Sequence, residues 1–89
     1  MNTNLEESEI SVLTALYKFY KENRTRPVLT LHVENEIGEP VGSLNPTFKS
    51  LQDKELISFH NEFGIFITEK GIQVIDEFQK NELNKYSSK

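Results

Sequence analysis

Between Asn45 and Gly71 the apolar period of this chain changes twice, and few folds accommodate that in so short a run (NPTFKSLQDKELISFHNEFGIFITEKG). Asn45 is of a type favoured at a helix N-cap, and Pro46 would then occupy the first helical position, where no intrahelical N–H partner is needed. Phe48 and Leu51 fall three apart, on one helical face. After Leu56 the period becomes two. Ile57 and Phe59, then Ile65 and Ile67, alternate with Ser58, His60, Phe66 and Thr68. Asn61-Glu62-Phe63-Gly64 supplies the turn between the two short strands. Thr68 is a second N-cap, and Glu69 places a negative charge at the positive end of the helix that follows. The run therefore predicts a short helix over 45–55, a hairpin over 56–68 and a helix over 69–84.

Helix, hairpin and helix in this order form the core of a winged helix. The run FKSLQDKELI, a hairpin and then FITEKG resembles the recognition helix, wing and final helix of winged-helix domains of the MarR and PadR type, which read roughly L-x-x-L-x-x-x-G-L-I and then L-T-x-x-G. Phe48, Leu51, Leu56, Ile57, Ile67, Thr68 and Gly71 match that pattern in type or identity. Glu55 departs from it, standing where those families have Gly. The resemblance spans roughly residues 5 to 80 and is specific from Asn45 to Gly71. It implies a mainly α fold with three helices, a two- or three-stranded wing sheet and a C-terminal helix. It also implies DNA binding and transcriptional regulation, although the same fold serves in protein–protein contacts.

The first half of the chain fits that order. Asn4 with Glu7 three residues on has the spacing of a capping box. From there to Asn23, Ile10, Leu13, Leu16, Tyr17 and Tyr20 recur at three and four, the mark of an amphipathic helix over 4–23. Val12 and Phe19 lie together on a flank of that stripe. Either one core covers the whole face, or the flank meets a partner. Pro27 ends the polar break that holds Arg24 and Arg26. In the next stretch, a brief strand at Val28-Leu29 and a helix to Ile37 compete with a hairpin across ENEIGEP. The helix is preferred, with Thr30 as its cap, Leu31, Val33 and Ile37 buried and Gly38 as its stop. The last helix carries Ile72, Ile75 and Phe78 in one stripe, widened by Val74, and Leu83 and Tyr86 prolong it. The expected core is Leu13, Leu16, Val33, Ile37, Phe48, Leu51, Ile57, Ile67, Ile72 and Ile75.

At 89 residues the chain is one domain of the size at which pairing with a second copy adds to a modest core. The surplus apolar positions Val12, Phe19, Val74, Leu83 and Tyr86 predict a homodimer through the first and last helices. No apolar run is long enough to span a bilayer. The acidic start MNTNLEESEI is unlike a signal peptide, so a cytoplasmic location is expected. There is no cysteine, hence neither a disulfide framework nor a thiolate metal site.

Catalytic signals are sparse. His32 has Glu36 four residues on, a spacing that two metal ligands can share, but a solvated pair explains it as well. Glu34 with Glu36, and Asp76 with Glu77, read as exposed polar faces. With no phosphate loop and no nucleophile elbow, neither an enzyme nor a cofactor is expected. Double-stranded DNA is the partner the pattern suggests. Asn45, Thr47, Lys49 and Ser50 stand opposite the apolar side of the 45–55 helix, together with Asp53, and Arg24 and Arg26 form a second cationic spot. Ten Lys plus Arg against fourteen Asp plus Glu oppose this reading, since phosphate neutralisation supplies most nonspecific affinity. Glu62 at the wing tip opposes it too. The alternative is a protein-interaction module, a mobile-element or phage factor, whose contact includes Phe63 and Glu62.

Overall fold

The structure, a computed structural model, describes residues 5–22, 27–60 and 64–87, with the backbone alone over 82–87. Helix α1 spans Glu7–Glu22, strand β1 Val28–Leu29, α2 Thr30–Ile37, α3 Asn45–Asp53, β2 Ile57–Phe59, β3 Gly64–Ile67 and α4 Glu69–Ser87. The strands form one antiparallel sheet in the order β1-β3-β2, with Val28 opposite Ile65, Ile57 opposite Ile67 and Phe59 opposite Ile65. Three helices with a short strand after the first, then a hairpin and a fourth helix, make the chain a winged helix, mainly α with a small sheet.

Helix α1 is the hub and packs on α2, α3, α4 and β3. Its inner face supplies Val12, Leu13, Ala15 and Leu16. The remaining buried apolar residues are Val33, Leu44, Phe48, Leu51, Leu56, Ile57, Ile65, Ile67 and Ile75. Of the expected core, Ile37 and Ile72 are only partly buried. Val12 is fully buried within the single chain, so it belongs to this core and not to a partner-facing flank. Leu31 is 43% exposed, against expectation, because it lies two residues from Val33 and so points away from the face that Val33 and Ile37 share.

Both caps assigned to the second and third helices move by one residue. The N-cap of α2 is Leu29, with no side-chain bond, and Thr30 is already helical. The N-cap of α3 is Leu44, again without a side-chain bond, and Asn45 and Pro46 fill the first two helical positions. At α3 the turn leading in is itself hydrogen-bonded. Ser43 N–H donates to Pro40 O and Asn45 N–H to Gly42 O, so the chain is already coiled when it reaches Asn45. That turn is pinned by Glu34, whose Oε2 accepts the Gly42 N–H at 2.8 Å. Glu34 is therefore buried, at 2% exposure, and not part of a solvated face. Gly38 ends α2 in the left-handed region (φ 89°), as its sequence position predicts.

The second half of the fold is tied together where α3 ends. Glu55 adopts φ 66° and is, among the described residues, the one non-glycine with positive φ. Glu55 N–H donates to Gln52 O and Leu56 N–H to Leu51 O, the bond pair of a Schellman ending. The position where the pattern that this run resembles has Gly is thus the position that takes a left-handed backbone. Thr68 closes the other side. Its hydroxyl donates to Glu55 O at 2.8 Å and accepts the Gly71 N–H at 3.0 Å, the side-chain cap expected for α4. Gly71 is required by packing, since a Cβ there would overlap the Leu56 carbonyl oxygen.

Candidate nucleic-acid interface

Helix α3 turns Leu44, Phe48 and Leu51 into the core, and this fixes what its other faces can present. Asn45, Pro46, Lys49, Gln52 and Asp53 are exposed. Asn45, Lys49 and Asp53 are spaced by four and form one outward stripe. Among the described residues Lys49 makes no ion pair. The other lysines whose side chains are described are engaged. Lys18 pairs with Glu36 at 2.8 Å, Lys54 with Glu9 at 2.9 Å, Lys70 with Glu55 at 3.9 Å and Lys80 with Asp76 at 3.5 Å. Lys21 lies over the Tyr17 ring, 4.5 Å from its centroid.

Thr47 and Ser50 belong to a different flank. They face the first turns of α1, across an open cleft lined also by Leu5, Glu6, Glu9, Pro46 and Lys54. The Ser50 hydroxyl donates to Glu9 Oε2 at 2.6 Å, and the Thr47 hydroxyl lies 3.4 Å from that of Ser8. Glu9 is 3% exposed and makes this flank a polar seam. Its carboxylate also accepts Lys54 Nζ at 2.9 and 3.0 Å and the Glu6 N–H at 2.8 Å. Burial works against the charge. The Ser50 hydroxyl, the Glu6 amide and the Lys54 ammonium outweigh it and hold the Glu9 carboxyl below its ordinary value.

The groups expected on one DNA-facing surface therefore divide. Asn45, Lys49 and Asp53 stand outward, whereas Ser50 is committed to Glu9 within the fold and Thr47 is half-buried beside it. Arg24, Arg26, Glu62 and Phe63 lie outside the described residues. Asn4 of the expected capping box does too. The carboxylate that reaches back to a helix-start amide is Glu9, bonded to Glu6, two positions along from the Asn4/Glu7 pair. Sequence reasoning missed Glu9 and Lys54. The single trace it had was the three-residue spacing of Glu6 and Glu9, which says nothing of a partner on α3.

Glu36, four residues on from His32, is the partner of Lys18 at 2.8 Å. Among the described residues no group of three or more ligating side chains comes together. Asp76 is half-buried and accepts the Tyr17 hydroxyl at 3.2 Å, so it is not simply solvated. No described helix is long and apolar enough to cross a membrane.

The class that this topology defines is the winged-helix domain, with α3 in the position of the recognition helix. No family model matches the chain, and neither does any curated protein or solved structure.

Proposed function

We propose that this chain is a winged-helix DNA-binding protein and a transcriptional regulator of the MarR/PadR-like type, with α3 entering the major groove. The observation that carries the reading is Lys49, an exposed cation on the outward stripe of α3, one turn from Asn45 and without an ion pair among the described residues. Asn45 can pair with a base edge and Lys49 with a phosphate or base. Arg24 and Arg26 supply the second cationic spot by their place in the sequence. The protein works in the cytoplasm as a homodimer through α1 and α4. With Val12 assigned to the core, Phe19 and Val74, both only partly buried, are what support that pairing, and the side chains of Leu83 and Tyr86 lie outside the described residues.

The test is titration of a random duplex at low salt, followed by site selection. Lys49→Ala weakens binding to all sequences and lowers the salt slope by about one if Lys49 meets a phosphate. If it reads a base, the loss falls on one position of the site, at about 1–3 kcal/mol. Absence of duplex binding at low salt removes the proposal.

A second reading, a protein-interaction module, is favoured by the outer face of the sheet. Strand alternation and register put Leu29 and Phe66 on that face together, and both are exposed. The His60 ring stands edge-on to Phe66, with centroids 5.6 Å apart. This reading expects no duplex binding and a protein partner lost on Phe63→Ala.

A further inference from the structure

The outward stripe of α3 ends on an acid. Asn45, Lys49 and Asp53 are all exposed and follow one another at intervals of four, so a surface laid along Lys49 also meets Asp53. Asp53 is the last residue of the helix, where the unpaired carbonyls already carry partial negative charge and a carboxylate is disfavoured. Among the described residues it takes part in no ion pair, not even with Lys49 one turn away. Ser50, on the neighbouring flank, bonds a different carboxylate, that of Glu9. The packing of α3 therefore gives Asp53 no partner, and a polyanion lying along the stripe is repelled by it unless the carboxylate finds a donor there.

We propose that Asp53 is a specificity-determining residue that accepts a hydrogen bond from the amino group of a cytosine in the major groove. The inference rests on the DNA-binding reading above and names what the far end of its stripe reads. A carboxylate can only accept. In the major groove guanine and thymine show acceptors alone, adenine sets its amino donor beside the N7 acceptor, and cytosine shows its amino group by itself. An acid on this stripe is matched by cytosine, opposed by guanine and thymine, and partly opposed by adenine. The helical rise sets Asp53 about 6 Å along the axis from Lys49 and about 12 Å from Asn45. At about 3.4 Å per base pair those spans are roughly two steps and roughly three and a half. Amide, ammonium and carboxylate then suit adenine, guanine and cytosine in that order. Repulsion by phosphate lowers affinity for every sequence alike, whereas the cytosine bond acts at one position. Asp53 thus exchanges general affinity for discrimination.

Site selection from random duplexes with the full chain tests this, followed by anisotropy titration of four duplexes that differ only at the selected pair. The wild-type chain is expected to prefer cytosine at one position by about fivefold or more. Asp53→Asn keeps the size of the side chain and adds a donor beside the acceptor, so the preference there should change from cytosine to adenine. Asp53→Ala should abolish it, and both variants should keep the preferences at the other positions. Glu55→Gln removes an equal charge two residues on, from a residue off the stripe, and is expected to leave the cytosine preference intact. An equal loss in Glu55→Gln would assign the effect to net charge and overturn the inference. If the wild-type chain binds with no preference for cytosine, or if both Asp53 variants gain affinity for all four duplexes by one common factor, the inference falls and the DNA-binding reading stands. Binding by Asp53→Asn but not by the wild-type chain would mean that the acid only repels phosphate, which also overturns the inference. No duplex binding by either at low salt overturns both proposals together.

Discussion

Helix α3 is held on two sides by different physics. On one, Leu44, Phe48 and Leu51 enter a core shared with α1, the hairpin and α4. On the other, Ser50 and Lys54 meet the first turns of α1 through the Glu9 carboxylate, and the Thr47 hydroxyl lies beside that of Ser8. Apolar contact is non-directional and tolerates small adjustments of roll. The polar seam is directional, since each bond to Glu9 needs its own distance and angle. Burial secures α3 in the molecule, and Glu9 engages Ser50 and Lys54 along its other flank.

Substitution on the apolar side should have the largest effect. Leu51 is fully buried, and Leu51→Ala removes several methyl and methylene groups from a packed site, at a cost of about 2–5 kcal/mol. A urea midpoint equal to that of the wild-type chain would mean that the core does not hold α3. Next in size is Gly71→Ala. The added methyl would overlap the Leu56 carbonyl oxygen and press on Ile67, so α4 must move off the hairpin. The expected loss is about 1–3 kcal/mol, read from thermal or urea unfolding.

The polar side is tested by Glu9→Ala, which leaves Ser50 and the Glu6 amide without their acceptor and is expected to cost about 1–3 kcal/mol. Its pH signature separates it from the apolar losses. A carboxyl held below its ordinary value in the folded chain contributes stability that is fully present above the unfolded value and is lost as pH falls through the folded one. Acid titration of the wild-type chain should therefore show a loss of stability below the ordinary glutamate value of 4.5, and Glu9→Gln should flatten that limb. Identical acid limbs would show that the seam is not where the acid sensitivity lies.

The smallest expected effect has the opposite sign. Glu55→Gly relieves a side chain from the left-handed region and should stabilise by up to about 1 kcal/mol. The pair it removes, Lys70–Glu55 at 3.9 Å, is exposed at both ends and contributes little. A lower melting temperature would mean that Glu55 makes a contribution beyond its backbone angle.

Periodicity alone carried much of the fold. The two changes of period between Asn45 and Gly71 mark α3, the hairpin and the start of α4. The Ile57, Phe59, Ile65 and Ile67 alternation matches the observed register. Gly38 and Thr68 mark their helix ends because backbone angle and capping are local properties, legible from one residue and its near neighbours. Asn45 was misplaced as a cap for the complementary reason. The turn from Pro40 to Leu44, pinned by a glutamate from α2, already bonds the Asn45 amide to Gly42 O and carries the chain into the helix one residue early. Thr30 was misplaced because α2 begins directly after strand β1, which ends at Leu29.

The tertiary structure decided the fate of the charges. Glu9 and Glu34 read like any other carboxylates of an acidic chain, yet each is buried because a donor from another element reaches it: Ser50 and Lys54 for the first, the Gly42 amide for the second. Those donors lie 41, 45 and 8 residues away in the chain. Val12 likewise looked like surplus surface until α1 became the hub of the fold. Local pattern determines which elements form and which face of each is apolar. Polar partnership depends on distance and angle between elements, which exist only once the helices have packed.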